Sequence, residues 1–171
     1  MKNYAFLLLS LFMMSSSLVE AQSKKEIKEK EEIEQYSAMK ELVEIGKLSF
    51  EANAAFTQKG RRIDLTTNPN SLIIDGKISE GDIPYFGVVQ VASYNSGGGI
   101  EFKNETTKYT IKYNDKKKRI TIKFSANNKT ENFNLILTIS GSGFATLSVN
   151  SNQRNTISYN GKVKALEKTE E

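Results

Sequence analysis

The side chains that most often carry out covalent chemistry are absent from this sequence of 171 residues. It contains no His and no Cys, which excludes imidazole-assisted and thiolate nucleophiles, disulfides, and zinc sites built from His and Cys. Only carboxylates are left for general acid–base catalysis. We therefore predict a protein that is not an enzyme, and we expect neither a cofactor nor a bound metal.

The tightest group of acidic residues outside the N-terminal region comprises Asp75, Glu80 and Asp82. A pair of carboxylates is able to hydrolyse a glycosidic bond, and a denser set binds calcium. The segment 75–82 lacks the alternating ligands and the final Glu of a calcium loop, whereas Asp75-Gly76 is a common turn sequence. We interpret this group as a turn rather than as a metal or catalytic site.

A second group of residues is suited to hold a ligand. Arg154 comes just before a predicted strand that contains Tyr159, and a guanidinium in such a place can clamp an anion. An Arg bonded to backbone carbonyls, with a Tyr that closes a corner, is commoner in proteins and is the alternative interpretation. The residues assigned to the predicted ligand site are Tyr85, Phe86, Gly98, Gly99, Arg154 and Tyr159.

The densest positive charge lies at Lys116, Lys117, Lys118 and Arg119. At a hairpin tip such a run is usually solvated and keeps a strand edge from pairing with another chain. The alternative is a weak contact with an anionic envelope surface. The whole chain has 24 Lys and Arg against 20 Asp and Glu, a surplus too small and too scattered to predict nucleic-acid binding.

Residues 1–21 are predicted to be a signal peptide. Lys2 precedes a mostly apolar run at 4–14. Val19 and Ala21 are residues of small or moderate size at the two positions that signal peptidase reads, which predicts cleavage between Ala21 and Gln22. The run is about half of the roughly 20 apolar residues that span a bilayer. With no Cys to carry a lipid, we predict a soluble periplasmic protein that is neither a lipoprotein nor transmembrane after cleavage. Secretion or association with the outer membrane is left open.

Residues 22–47 are predicted to form a charged helix. They contain no Pro, and Gly first occurs at position 46, where it would end the helix. Apolar residues are sparse before Tyr36 and dense after it. Only the second half of the helix is therefore expected to pack on a core, with the first half in solvent.

After Lys47 the apolar residues recur at every second position instead of at helical spacing. Turn sequences separate the runs, which predicts one all-β domain at residues 48–165 and a charged tail at 166–171. The expected fold is a single antiparallel barrel or sandwich of about ten short strands, of which a lipocalin-like barrel is one form. The predicted strands are 50–56, 71–75, 77–83, 88–94, 99–103, 109–113, 119–124, 132–139, 144–150 and 156–163.

Most aromatic residues of the strand region fall at positions expected to face inward. Core packing explains this, but in a closed barrel the same lining could surround a small apolar ligand. These residues are Phe50, Phe56, Phe86, Phe102, Phe124, Phe133 and Phe144. Alternation also predicts two buried rows, Tyr109, Ile111 and Tyr113 on one strand and Ile120, Ile122 and Phe124 on the next.

Four composite motifs follow one another along the strand region. They are Ile-Pro-Tyr-Phe-Gly at 83–87, Gly-Gly-Ile-Glu-Phe at 98–102, Gly-Phe-Ala-Thr-Leu-Ser-Val at 143–149 and Arg-Asn-Thr-Ile-Ser-Tyr-Asn-Gly at 154–161. In order and spacing they resemble domain of unknown function 4251, a family of exported proteins of Bacteroidetes-type bacteria. The resemblance covers roughly residues 46–164, with Ile83 where the family usually has Leu. It implies a signal peptide, a charged helix and a β-rich domain, and it brings no established activity.

Two classes of function are compatible with these observations. One is a binding module for a small apolar ligand in a barrel interior, or for an anionic ligand at the end that holds the glycines 97–99 and Arg154. The other is a structural or interaction protein that docks on an envelope partner through its helix or an exposed strand edge near Pro84. A filled interior together with an open apolar edge would favour docking.

Overall fold

The computed structural model describes residues 2–89, 98–128 and 131–166, with side chains from residue 24 onward except that of Glu105. One helix precedes ten strands in these ranges. The elements are α1 (Lys2–Ile45), β1 (Lys47–Thr57), β2 (Arg62–Asp64), β3 (Ser71–Asp75), β4 (Ile78–Ile83), β5 (Ile100–Glu105), β6 (Thr107–Asn114), β7 (Arg119–Asn127), β8 (Asn132–Ser140), β9 (Phe144–Ser151) and β10 (Ile157–Ala165).

The strands form one antiparallel sheet in the order β5-β4-β3-β1-β10-β9-β8-β7-β6, and β2 pairs with the end of β1. The sheet curls into a half-barrel, which confirms the predicted all-β antiparallel class with an N-terminal helix. β1 pairs with β10 from Leu48 opposite Ala165 to Thr57 opposite Ile157, with a bulge between Ala52 and Ala54. The bulge bends β1 and helps the sheet to curl.

The edge strands β5 and β6 are joined through the single residue Thr106, yet no backbone ladder pairs them within the described residues. Side-chain amides bridge the open side of the half-barrel instead. Asn104 donates to the backbone oxygen of Asn127, and the Asn128 amide donates to the backbone oxygen of Glu101 at 3.2 Å. These bonds hold β5 beside β7.

The concave side of the sheet is filled by one continuous cluster of buried side chains. Alternate residues of β7 to β10 point into it, as the period of two predicts. The rings of Phe102 and Phe133, with centroids 5.7 Å apart, join β5 to β8 across the interior. Each such aromatic or aliphatic side chain stabilises the fold by about 1.5–3 kcal/mol relative to its exposed state.

Two aromatic residues that were predicted to face inward lie outside. Phe144 is 55% exposed because the inward positions of β9 are Ala145, Leu147 and Val149. Phe86 is 40% exposed and follows the end of β4. Four other members of that predicted set are buried, and Phe56 is half-buried. The four are Phe50, Phe102, Phe124 and Phe133.

The predicted buried row on β6 is only partly buried. Tyr109 and Ile111 pack against the core from its margin, and Tyr113 is 37% exposed. The physical reason is that β6 is an edge strand, so a neighbouring strand, β7, flanks it on one side only. The matching row of β7, which lies one strand further in, is fully buried as predicted.

Strand positions otherwise agree closely with the alternation of the sequence. β3 was predicted at its observed bounds, and most other strands are one to three residues longer than predicted. β2 was missed, because its three residues have no periodicity of their own and are ordered by pairing with β1. Most of the strand predicted at 88–94 lies outside the described residues, although Val89 forms a bridge with Arg154.

The helix α1 packs on the sheet by its second half, as the distribution of apolar residues predicted. Tyr36 and Val43 are buried, whereas Ile27 and Ile33 are 54% and 51% exposed. α1 ends at Ile45, and Gly46 follows with φ of 72°, a conformation that favours glycine. None of the helical residues that the structure describes forms a stretch with the length and hydropathy of a membrane span.

A polar cluster around Asp115 helps to hold the helix on the hairpin between β6 and β7. The Tyr36 hydroxyl donates to Asp115 at 3.0 Å, and the Lys40 ammonium reaches the same carboxylate at 3.2 Å. Burial and the hydrogen bond to Asp115 raise the pKa of Tyr36 to about 12. The Tyr36 and Lys40 hydrogen bonds hold the pKa of Asp115 below its ordinary value.

This contact should make helix docking sensitive to alkaline pH. A folded-state pKa raised from 10.0 to about 12 contributes stability that is complete below pH 10 and is lost as the pH rises through 12. We expect the wild type to lose part of its near-UV circular dichroism in this window. Tyr36→Phe should remove that component, and Tyr113→Phe, which changes an exposed ring of the same region, should keep it. Identical alkaline transitions in the wild type and Tyr36→Phe would disprove the role of this hydroxyl.

Candidate functional site

The residues of the predicted ligand site come together at one end of the half-barrel, around Arg154. This side chain is 5% exposed and forms an ion pair with Glu131, itself 3% exposed, at 2.9 Å. Its Nε lies 2.9 Å from both carboxylate oxygens of Glu131. Its Nη1 donates to the carbonyl oxygens of Gly98 and Gly99 at 3.1 and 2.8 Å. The guanidinium thus joins two chain segments to its own.

Two tyrosines complete this buried cluster. The Tyr159 hydroxyl, fully buried, donates to the carbonyl oxygen of Pro84 at 3.0 Å. The Tyr85 hydroxyl lies 2.9 Å from the carbonyl oxygen of Asn155, and its ring centroid is 5.1 Å from the Arg154 guanidinium carbon. Burial raises the pKa of both hydroxyls, so both stay protonated at neutral pH. Each therefore donates a bond that anchors the segment 84–88.

Glu131 is the member of this cluster that sequence reasoning missed. Its carboxylate also accepts a hydrogen bond from Ser151, and its backbone nitrogen is bonded to the Asn128 side chain at 2.8 Å. Nothing in the local sequence marks Glu131, because its partner is set by the fold rather than by spacing. Arg154 and Tyr159 therefore make the internal bonds of the commoner arrangement, and the anion at the guanidinium is a carboxylate of the protein itself.

Phe86 is 40% exposed, whereas its neighbour Tyr85 is half-buried against the cluster. Together with Val88 and Val89, which are 56% and 40% exposed, Phe86 forms an apolar patch at the surface. Beside this patch is a groove of about 220 Å³. We call it the Phe86 groove; its lining is Thr57, Gln58, Lys59, Arg61, Phe86, Gly87, Val88 and Asn155.

Two exposed cations, Lys59 and Arg61, lie on one side of the Phe86 groove, in the turn between β1 and β2. Neither forms an ion pair with any residue that the structure describes. The groove therefore combines an exposed aromatic ring with two positive charges that are available to a partner. The sequence motifs include Phe86 but not the two cations, which are far from it in the chain.

The four motifs that carry the family resemblance lie around this end of the molecule and along the central strands. The family model described as Domain of unknown function (DUF4251) matches residues 30–163. The chain belongs to the DUF4251 family. The match extends from the second half of α1 into β10, so the DUF4251 unit includes the part of the helix that packs on the sheet.

A crystal structure of a DUF4251 family protein from Bacteroides eggerthii has the same fold. The two sequences are 19% identical, the alignment covers 78% of this chain and 89% of that chain, and the TM-score is 0.62. At this identity the comparison establishes the fold alone. No curated protein matches the sequence.

The basic run of this DUF4251 protein forms a short 3-10 turn at Asp115–Lys117 and its C-cap, Lys118. Lys118 has φ of 49° and pairs with Glu32 of α1 at 3.2 Å. Arg119 begins β7 on the outer face of the sheet. Lys118 of the run therefore contacts the helix, whereas Lys116 and Lys117 are exposed. Contact of these exposed lysines with an anionic surface stays a prediction.

The acidic group at 75–82 forms the hairpin between β3 and β4. Gly76 has φ of 62°, which confirms the turn predicted from Asp75-Gly76. Asp75 pairs with Lys47 at 2.9 Å, and Glu80 pairs with Lys103 at 2.8 Å. These carboxylates therefore belong to exposed cross-strand ion pairs, each of which contributes less than about 1 kcal/mol.

Proposed function

We propose that this DUF4251 protein is an exported, non-catalytic binding module that docks on an acidic segment of an envelope partner protein through the Phe86 groove. Apolar exposure at Phe86 carries the proposal, because the interior of the half-barrel is already filled by its own side chains. Because the interior is filled, a partner would have to bind at the surface. The groove lies beside Pro84, where the sequence predicted an exposed edge.

The size of the groove favours a side chain over a free small molecule. Pockets that enclose a drug-sized ligand have volumes of roughly 300–1,000 Å³, and the groove has about 220 Å³. One aromatic or aliphatic side chain fills such a space. Carboxylates next to it in the same partner segment would reach Lys59 and Arg61 and strengthen the contact by charge complementarity.

The buried cluster holds the docking residues in place. Tyr159 and Tyr85 bind the backbone on either side of Phe86, and Arg154 fixes the glycines that lead into β5. A surface that is already ordered binds without the entropy loss of arranging it, so even a small contact gains affinity. The cluster therefore positions the docking residues without contacting the partner itself.

The proposal can be tested with a defined peptide. We expect a fluorescent acetylated peptide, Glu-Asp-Phe-Asp-Glu, to bind the full chain saturably in anisotropy titrations. Phe86→Ala and the double variant Lys59→Gln/Arg61→Gln should each weaken binding about tenfold, or about 1.4 kcal/mol. Phe144→Ala and Lys123→Gln, matched changes at exposed positions of the outer sheet face, should leave it unchanged.

Two results would count against docking. Equal binding of the basic counterpart Lys-Lys-Phe-Lys-Lys would show that the charges of the groove play no part. Binding of decanoate without binding of the acidic peptide would instead support the small-ligand alternative, since decanoate offers one apolar chain and one carboxylate. Both controls use the same protein and the same titration.

A further inference from the structure

We propose that the outer face of the sheet, across β7 to β10, binds a saccharide that contains uronic acid units. This site is separate from the Phe86 groove and does not depend on it. It is a depression of about 430 Å³, a volume within the range of roughly 300–1,000 Å³ typical of small-ligand sites. Its lining is Asn53, Arg119, Thr138, Ser140, Phe144, Ala145, Thr146, Asn160 and Gly161.

The register of the sheet builds a row of polar side chains across the floor of this depression. Thr138 of β8 is opposite Thr146 of β9, and Thr146 is opposite Asn160 of β10. Asn53, at the bulge of β1, extends the row by one strand. The Thr146 hydroxyl donates to the Asn160 side-chain oxygen at 3.0 Å, which fixes the two side chains. Their remaining lone pairs and N–H groups have the capacity to bind the hydroxyls of a sugar.

A second row of side chains lies next to the first and adds the ring of Phe144 and the guanidinium of Arg119. Arg119 of β7 is opposite Ser140 of β8, and Phe144 of β9 is opposite Lys162 of β10. The Lys162 ammonium lies 4.8 Å from the centroid of the Phe144 ring, yet Phe144 remains 55% exposed. An exposed aromatic ring beside hydrogen-bonding groups can pack against the apolar C–H face of a sugar.

The charge of the lining residues indicates which kind of saccharide the depression would bind. Among the described residues that line the depression, none is acidic, and Arg119 forms no ion pair within that part of the chain. A guanidinium matches a carboxylate with two parallel hydrogen bonds. A uronic acid unit provides that carboxylate together with the hydroxyls and the C–H face that the two rows accept.

The position of the depression within the sheet argues against a peptide as its ligand. β8, β9 and β10 have paired strands on both sides, so their backbone groups are occupied by ladders. Peptides that bind to sheets usually pair with a free edge. On this face recognition rests on side chains and one ring, which suits a saccharide better than an extended chain.

The experiment is a calorimetric titration of the full chain with trigalacturonate, and with neutral maltotriose in parallel. We expect saturable binding of trigalacturonate and binding of maltotriose at least about tenfold weaker. Phe144→Ala should weaken trigalacturonate binding about tenfold. Arg119→Gln should weaken it to a similar extent and leave the weak maltotriose signal unchanged.

A matched control separates the site from general charge. Lys123→Gln removes a cation from the same face of the same strand, outside the depression, and should bind like the wild type. The proposal is overturned by no saturation up to about 10 mM, by unchanged affinity in Phe144→Ala, or by equal losses in Arg119→Gln and Lys123→Gln.

Discussion

Arg154→Ala is expected to lower the free energy of unfolding by about 3–5 kcal/mol. The substitution leaves the Glu131 carboxylate 3% exposed without its cation, and an uncompensated buried charge is costly. It also removes the donors to the carbonyl oxygens of Gly98 and Gly99. Urea denaturation followed by circular dichroism would give the change as a shift of the midpoint at constant slope.

Two variants make this expectation specific to the ion pair. Arg119→Ala removes an exposed Arg and should change stability by less than about 0.5 kcal/mol. The double variant Arg154→Ala/Glu131→Ala should be at least about 1 kcal/mol more stable than Arg154→Ala alone, since it removes the unpaired carboxylate as well. A midpoint for Arg154→Ala that matches Arg119→Ala would mean that the cluster does not stabilise the fold.

Gly161→Ala is expected to destabilise the domain by about 3 kcal/mol or more, beyond the usual range for overpacking. A Cβ atom at Gly161 would lie 2.0 Å from the carbonyl oxygen of Glu51 and 2.8 Å from the Cα of Ala52. Both atoms belong to the backbone of β1 next to its bulge, so no side-chain rotation relieves the clash. The two strands would have to separate at the centre of the sheet.

The control for this prediction is Lys162→Ala, the next residue of β10. Lys162 is exposed, and its contact with the Phe144 ring should contribute less than about 1 kcal/mol. Thermal unfolding of the three proteins would show the difference directly. A melting temperature for Gly161→Ala within a few degrees of wild type would mean that β1 and β10 are not held as closely as the structure has them.

The sequence predicted strands well where burial sets the pattern. In β7, β8 and β9 one face packs on the core and the other meets solvent, so apolar residues must alternate. Edge strands are harder to predict, because their apolar residues are covered from one side alone, as at Tyr113. β2 could not be predicted, since its backbone hydrogen bonds depend on β1 and not on its own side chains.

The candidate site shows the same division between local and long-range information. Sequence motifs identified Tyr85, Arg154 and Tyr159 as candidate ligand-binding residues, and the structure places them in one cluster. Glu131 was not predicted, because an acidic residue in a loop has many potential partners until the fold is known. The outer-face depression was missed for a related reason: its rows exist only once the register of four strands is fixed.

The place of β10 in the sheet has a consequence for the order of assembly. β1 to β5 form one set of neighbouring strands and β6 to β9 form another, and β10 lies between them. Backbone pairing cannot join the two sets into one sheet until β10 is available, and pairings between distant segments form slowly. The local hairpins of each set are therefore expected to form first, and the ladder of β10 with β1 and β9 completes the sheet late in folding.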